Sequence, residues 1–358
     1  MKTILSVVGA RPNFMKLAPL HRALQGRAVR HVIVHTGQHY DAAMSQAFFA
    51  DLGIPDPHYN LGVGSGSHAQ QTAEIIQRLE PVVSQDRPDL VLVYGDVNST
   101  VAAALVVAKL GIALGHVEAG LRSGDWSMPE EINRIVTDRL SQLLFTPSSD
   151  ANENLRAEGV DAGRIHLVGN IMIDSLVAML PRAAALDAPG RHGLRPHQYA
   201  IVTLHRPSNV DDPETLSELM GGLEDLTARG PVLFPVHPRT RRRIDEFRLT
   251  SSSHNGLRLL EPMGYVEMLG LMASAALVIT DSGGVQEETS YLGIPCLTAR
   301  PNTERPITVL RGTNRLIPSR RAALVPAALE AWGRLASRGN IELWDGCTAC
   351  RIAEVVNV

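Results

Sequence analysis

Short runs of apolar, largely β-branched residues alternate along the chain with longer stretches in which apolar positions recur every three or four residues. The runs read as buried strands and the stretches as helices that cover a sheet, the pattern of parallel βαβ construction. In the first half the runs predict strands at Thr3–Val8, Val29–His35, Leu90–Tyr94, Ala113–Val117, Leu143–Phe145 and Ile165–Val168. Helices are predicted at Asn13–Leu24, Ala42–Leu52, Ala69–Val83, Thr100–Leu110, Glu130–Leu140 and Asp150–Glu158. After a helical stretch at Asp174–Leu180 comes a polar segment, Asp187–His197, broken by Pro189, Gly190, Gly193 and Pro196. This is the best linker candidate.

The alternation then restarts. Ala200–Leu204, Val232–Val236, Arg258–Leu260 and Leu277–Thr280 read as strands; Glu214–Ala228, Tyr265–Met272 and Val285–Leu292 read as helices. No short repeat or low-complexity segment interrupts either half. The expected fold is α/β: two doubly wound, Rossmann-like domains facing a cleft, the first over 1–184 and the second over 185–343.

Composition narrows the function classes. A length of 358 residues suits two domains of about 150 residues each. Hydrophobic residues at 44% and charged residues at 20% are enough for a large core and argue against disorder. Lysine plus arginine number 34 against 37 acids, so no basic surface points to nucleic acid or an anionic membrane. Aromatics at 4% are too few for a base-stacking platform. Met1-Lys2 leads straight into Ile4–Val8 with no cleavable leader pattern, and no apolar stretch approaches the roughly 20 residues of a membrane span. The expectation is a soluble, cytoplasmic protein. Cys296, Cys347 and Cys350 imply no disulfide framework. Cys347-Thr-Ala-Cys350 has the CxxC spacing but no second ligand pair, and reads as two half-buried thiols on a helix spanning Cys347–Val356.

The residues capable of chemistry gather where strands end, which is where ligands bind in open α/β sheets. Gly9-Ala-Arg-Pro-Asn-Phe-Met-Lys16 follows the first strand: a tight turn, then a helix start flanked by Arg11 and Lys16, suited to an anion. It is neither a GxGxxG nor a Walker loop, so dinucleotide or ATP binding has no motif behind it. Asp96, after Leu90–Tyr94, either caps the following helix or carries chemistry. Glu118 ends a nearby strand, and Glu130 and Glu131 open a helix after Pro129, one of that pair open to a structural role.

In the second half His205-Arg206 and His237 follow strands. Asp281-Ser282-Gly283-Gly284, between a strand and a helix, forms a phosphate cradle of backbone N–H groups. Glu288, one turn on, suits the hydroxyls of a ribose, and Arg305 suits a diphosphate. Arg239–Arg243 reads as a solvated helix start. Paired carboxylates with a histidine suit proton removal and return at carbon, and histidine or arginine can hold the charge of a departing diphosphate.

The chain resembles the non-hydrolysing UDP-N-acetylglucosamine 2-epimerases, which share the two-domain architecture of glycosyltransferase-B folds. The matching segments are GARPNFMKLAPL, HTGQHYD, VYGDVNST, GHVEAGLRS, MPEEINR, VGNIMID, TLHRPSNVD, VHPRTR, DSGGVQEETSYLG and TERPI, in the family's order from residue 9 to about 307. The resemblance implies that a final helix within 344–358 crosses back onto the first domain. It implies interconversion of UDP-GlcNAc and UDP-ManNAc through elimination of UDP to a bound 2-acetamidoglucal and re-addition, with no metal or other cofactor, by a homodimer. The family's catalytic positions fall on Asp96, Glu118, Glu130 and His205. Its UDP-binding positions fall on Arg11, Lys16, Tyr265, Met268, Ser282, Gly283, Gly284, Glu288 and Arg305.

The chain departs from many bacterial members at His205-Arg-Pro-Ser-Asn209, at the segment running to Gln46, and at the shortened Asp125-Trp-Ser-Met128. Those departures leave open a 2-epimerase for a related UDP-2-acetamido sugar. A UDP-sugar-dependent glycosyltransferase of the same fold is the other alternative, but it gives no reason for the three acids.

Overall fold

The computed structural model describes residues 1–38, 52–249, 256–337 and 341–356. The helix expected at Ala42–Leu52 falls outside them except for Leu52, as does the segment His39–Gln46. The chain divides into two compact units, Met1–Ser175 with Glu342–Val358, and Leu176–Ile341. The helix Ile171–Leu186 runs through that division, and the segment Asp187–His197 lies inside the second unit, with a short helix at Ala188–Arg191.

The first unit is built on a seven-stranded parallel sheet. Its strands are β1 (Lys2–Val8), β2 (Val29–His35), β3 (Tyr59–Asn60), β4 (Leu90–Tyr94), β5 (Leu114–Val117), β6 (Leu143–Thr146) and β7 (Ile165–Leu167), in the order β3-β2-β1-β4-β5-β6-β7. β1 pairs with β2 from Lys2↔Val29 to Val8↔His35 and, on its other side, with β4 from Ile4↔Leu90 to Val7↔Val93. Every residue of β4 is buried, as expected of a central parallel strand covered on both faces. Leu5, Val7, Val32, Val34, Val91, Val93, Ala103, Val107 and Leu114 form one core between this sheet and its helices.

The second unit holds a six-stranded parallel sheet. β8 (Ala200–Thr203), β9 (Val232–Pro235), β10 (Leu257–Leu260), β11 (Leu277–Thr280), β12 (Cys296–Ala299) and β13 (Asn314–Ile317) lie in the order β10-β9-β8-β11-β12-β13. Its core includes Val202, Leu204, Leu219, Leu223, Phe234, Leu277, Ile279, Leu297 and Leu324. The strand order reverses between β1 and β4 in one unit and between β8 and β11 in the other. Those two points are where such sheets open a crevice at the carboxyl ends of their strands.

The C-terminal helix, Thr348–Val355, belongs to the first unit. The buried Asp174 carboxylate accepts from the backbone N–H of Thr348 (3.1 Å) and Ala349 (2.8 Å), and Trp344 Nε1 donates to the Pro147 carbonyl (2.8 Å). The reading of Cys347 and Cys350 as half-buried needs correction, since both are exposed. This helix turns Ala349, Ile352 and Ala353 inward, which leaves the two cysteines on its outer side.

Candidate active site

At the first reversal point, the Asn13 side chain ties β1 to β4. Its Oδ1 accepts from Gly9 and Ala10 N–H (both 3.1 Å), and its Nδ2 donates to the Tyr94 carbonyl (2.9 Å). Gly9 is needed for packing, because a Cβ there would lie 2.1 Å from Ser99 Oγ. Arg11 is exposed at the start of the helix Arg11–Leu24. Lys16 is buried, with Nζ 2.6 Å from Glu118 Oε2. Gly95 makes room for that pair: it has φ +61°, and a Cβ on it would sit 2.7 Å from Lys16 Nζ. Glu118 itself has φ +72°, an unusual backbone for a non-glycine residue and the kind that gathers at functional sites.

Asp96 does not cap the helix Asn98–Lys109, whose N-cap, Val97, makes no side-chain capping bond. Its carboxylate instead takes a hydrogen bond from Arg134 Nη1, and its backbone carbonyl accepts from Asn133 Nδ2 (2.8 Å). The adjacent glutamates have different jobs. Glu131 is buried and accepts from Ser123 N–H, Ser123 Oγ, Gly124 N–H and Arg134. Burial alone would raise its pKa, but these donors outweigh burial and lower it, so it holds the Ser123–Gly124 loop as a carboxylate. Glu130 is half-buried and makes none of those bonds. The structural member of the pair is therefore Glu131.

At the second reversal point, Asp281 directly follows β11 and is fully buried. Its carboxylate accepts from His205 N–H (2.9 Å), Arg206 N–H (2.9 Å) and Asn209 Nδ2 (3.0 Å), and Oδ1 lies 3.0 Å from His205 Nδ1. Burial pushes its pKa up, but His205 and the other donors pull it below the usual carboxylate range. The His205 side chain is 44% exposed, so a fixed imidazole faces outward. The His237 ring lies 5.9 Å from it, centroid to centroid, and Nδ1 of His237 caps the helix Pro238–Glu246. In the arginine run that opens this helix, Arg239 and Arg243 both bond to Asp211.

Ser282 stands at the N-cap of the helix Gly283–Leu292 without a side-chain capping bond. The first-turn N–H groups of that helix therefore have no partner within it. Gly284 borders open space, whereas a Cβ on Gly283 would fall 2.4 Å from Arg305 Nη1 and 2.7 Å from Glu304 Oε1. Arg305 is tied to Glu287 (2.6 Å) and Glu304 (2.5 Å), and Glu304 also binds Arg300 (2.8 Å). Burial opposes ionisation of Glu304, but Arg305 and Arg300 overcome it and hold that carboxyl far below its ordinary range. Glu288 lies one turn into the helix, buried, and accepts from Tyr265 Oη (2.8 Å). Burial pushes its pKa up to about 7, despite that bond. Met268 lies three residues after Tyr265 on the helix Tyr265–Ala273, half-buried like it.

Within the first unit the structure thus brings Lys16 and Glu118 together and sets Asp96 against Arg134. Within the second it gathers Ser282, Gly283, Gly284 and Arg305, pairs Tyr265 with Glu288, and fixes His205. Sequence reasoning missed the parts played by Asp281 and Arg134, and left open which of Glu130 and Glu131 is the structural one. The only signal for Asp281 was an acid placed between a strand and Ser-Gly-Gly, next to the strand that ends at a histidine.

The sequence model of the family described as UDP-N-acetylglucosamine 2-epimerase matches residues 22–357. A Methanococcus maripaludis protein named as a homolog of that enzyme is 42% identical over 357 residues, 99% of each chain. The UDP-2,3-diacetamido-2,3-dideoxy-D-glucuronate 2-epimerase of Pseudomonas aeruginosa is 40% identical over 98% of each chain. The crystal structure of the Methanocaldococcus jannaschii UDP-GlcNAc 2-epimerase, in complex with UDP-GlcNAc and UDP, superposes with a TM-score of 0.90 at 40% identity, covering 99% of each chain.

Proposed function

Because the chain belongs to the UDP-N-acetylglucosamine 2-epimerase family, we propose that it inverts C2 of the sugar in UDP-GlcNAc, interconverting it with UDP-ManNAc. One carboxylate of the set Asp96, Glu118 and Glu130 removes the C2 proton. The C2–H electron pair becomes the C1=C2 double bond of 2-acetamidoglucal, and UDP departs with the C1–O pair. In the return step a diphosphate oxygen attacks C1 while C2 takes a proton on the opposite face. His205, with the open N–H groups of Gly283 and Gly284, holds the negative charge that grows on the leaving diphosphate. Glu288 takes the ribose, Tyr265 and Met268 the uracil, and Arg11, Ser282 and Arg305 complete the hold on UDP, while Lys16 is committed to the Glu118 carboxylate.

The observation that carries this reading is the split of chemistry between the two reversal points. The first is rich in carboxylates; the second joins a glycine-rich helix start to an outward-facing histidine. Family membership also supports a homodimer working in the cytoplasm. No helix among the described residues is long and apolar enough to cross a membrane.

The test is proton NMR of UDP-GlcNAc with the pure protein in D2O. Loss of the C2 proton signal with growth of UDP-ManNAc peaks is the expected result. UDP binding without exchange at C2 would overturn UDP-GlcNAc as the substrate. A second reading then takes over, in which the sugar is a related UDP-2-acetamido sugar. The Pseudomonas aeruginosa relative favours it, being within a few per cent of the identity of the UDP-GlcNAc enzymes.

A further inference from the structure

Asp281 receives more donors than a loop anchor needs. Its Oδ2 accepts from the N–H groups of His205 and Arg206 and from Asn209 Nδ2, and its Oδ1 faces His205 Nδ1 at 3.0 Å. The carboxylate is itself fixed from behind. Asp281 N–H donates to the Thr203 carbonyl (3.1 Å), and the Thr203 and Thr280 hydroxyls bond each other (2.7 Å). Asn209 donates to the Ala299 carbonyl (3.0 Å) and accepts from Ser319 Oγ (2.7 Å). Asp281 is fully buried, while the imidazole it touches is 44% exposed. Surrounded by donors, it must act as an acceptor on both oxygens; a proton on either would face an N–H group. His205 Nδ1 must then carry hydrogen, and Nε2 is the nitrogen left for the substrate.

We propose that Asp281 is the positioning residue of His205: it keeps hydrogen on Nδ1, so that Nε2 is the nitrogen that takes up a further proton and, as an imidazolium N–H, meets the negative charge of the reacting diphosphate. Asp281 reaches the substrate only through the histidine. The inference rests on the proposed 2-epimerase reading for its chemistry, although the tautomer itself does not depend on it. It also accounts for a fully buried acid between the strand and the cradle, where a small apolar residue would otherwise fill the space at lower cost.

The experiment has two arms. In the first, nitrogen-15 NMR of labelled wild-type protein, with His205→Gln to assign the signal, reads which ring nitrogen of neutral His205 bears hydrogen. The proposal expects hydrogen on Nδ1, and hydrogen on Nε2 overturns it. In the second, Asp281→Asn is compared with wild type for turnover, KM and UDP affinity. A positioning role expects kcat to fall about 100-fold, with KM and UDP affinity changed by less than about threefold, and the tautomer signal to become mixed. A kcat within about threefold of wild type overturns the proposal. So does a parallel loss of turnover and UDP binding, which would make Asp281 a support of the cradle alone. If Asp281→Asn does not fold, the wild-type tautomer decides. If wild type epimerises no UDP-sugar, the functional reading fails while the tautomer measurement still stands or falls by itself.

Discussion

The two units solve one topological problem with opposite chemistry. Each is an all-parallel sheet whose order reverses beside its first strand, and each places its reactive groups at that reversal. In the first unit the cations are spent on acids: Lys16 on Glu118, and Arg134 on Asp96 and Glu131. In the second the acids are spent on holding donors: Asp281 on backbone and histidine, Glu287 and Glu304 on Arg305. What remains to meet a ligand is then carboxylate in the first and N–H or imidazole in the second. The fold chooses where a site lies, and the internal pairing chooses its sign.

The largest expected effect breaks the division of labour between them. His205→Ala removes the exposed imidazole but leaves the cradle, so turnover should fall about 10³-fold with UDP affinity kept within about threefold. Steady-state kinetics and calorimetry on one preparation check it; equal losses of both would show that His205 belongs to UDP binding. Next comes Lys16→Met, which strands the Glu118 carboxylate among buried groups. The expected cost is about 3 kcal/mol of stability, read from urea unfolding. A cost under about 1 kcal/mol would show that the pair is open to water and that Lys16 is available to a phosphate.

The contrast was only partly readable in the residues. Strands such as Leu90–Tyr94 and Leu277–Thr280 stand out because central parallel strands are apolar throughout. β3, β12 and β13 were not predicted: Tyr59–Asn60 is too short to show a pattern, while Cys296–Ala299 and Asn314–Ile317 mix polar with apolar positions near or at an edge of their sheet. Asp96, Glu118, His205 and the Ser-Gly-Gly turn were legible because strand ends bind ligands. The separation of Glu130 from Glu131 was not, since it depends on which of them turns toward Ser123 and Arg134. Asp281 was hidden for a similar reason. It acts on a histidine 76 residues earlier in the chain, a partnership made by the neighbouring positions of β8 and β11.

The cradle's two glycines sharpen the comparison further. Gly283→Ala drives a methyl group into Arg305 and Glu304, displacing an arginine already tied to two acids. UDP affinity and stability should both drop, affinity by about 30-fold if one charge-assisted contact of about 2 kcal/mol is lost. Gly284→Ala meets open space, so its stability should stay within about 0.5 kcal/mol of wild type. Any affinity it loses reports a phosphate lying against that Cα. Equal thermal stability for the two variants would show that Arg305 yields without cost.

The most specific effect is the opposed response of the two units to pH. In the first unit burial, then His21 and His58, push His31 down to about 3; its ring contacts are His21 Nδ1 (3.0 Å) and Ser6 Oγ (2.8 Å). The unfolded histidine takes a proton near pH 6.5 while the folded one resists, so this stability is complete above 6.5 and drains away toward 3. In the second unit burial raises Glu288 to about 7, against the Tyr265 bond that lowers it and with Glu287 adding to the rise. There the folded state holds its proton more tightly than the unfolded one. That stability is complete below about 4.5 and is lost as pH climbs through 7. Thermal melts of His31→Gln should therefore shed about 2 kcal/mol of the wild-type decline between pH 7.5 and 5, and leave the alkaline side unchanged. Glu288→Gln should do the reverse, flattening the decline between pH 5 and 8 by up to about 3 kcal/mol and weakening UDP binding most at high pH, where the native carboxylate is ionised. If both variants moved the same limb, the contrast in charge between the units would not extend to these two groups.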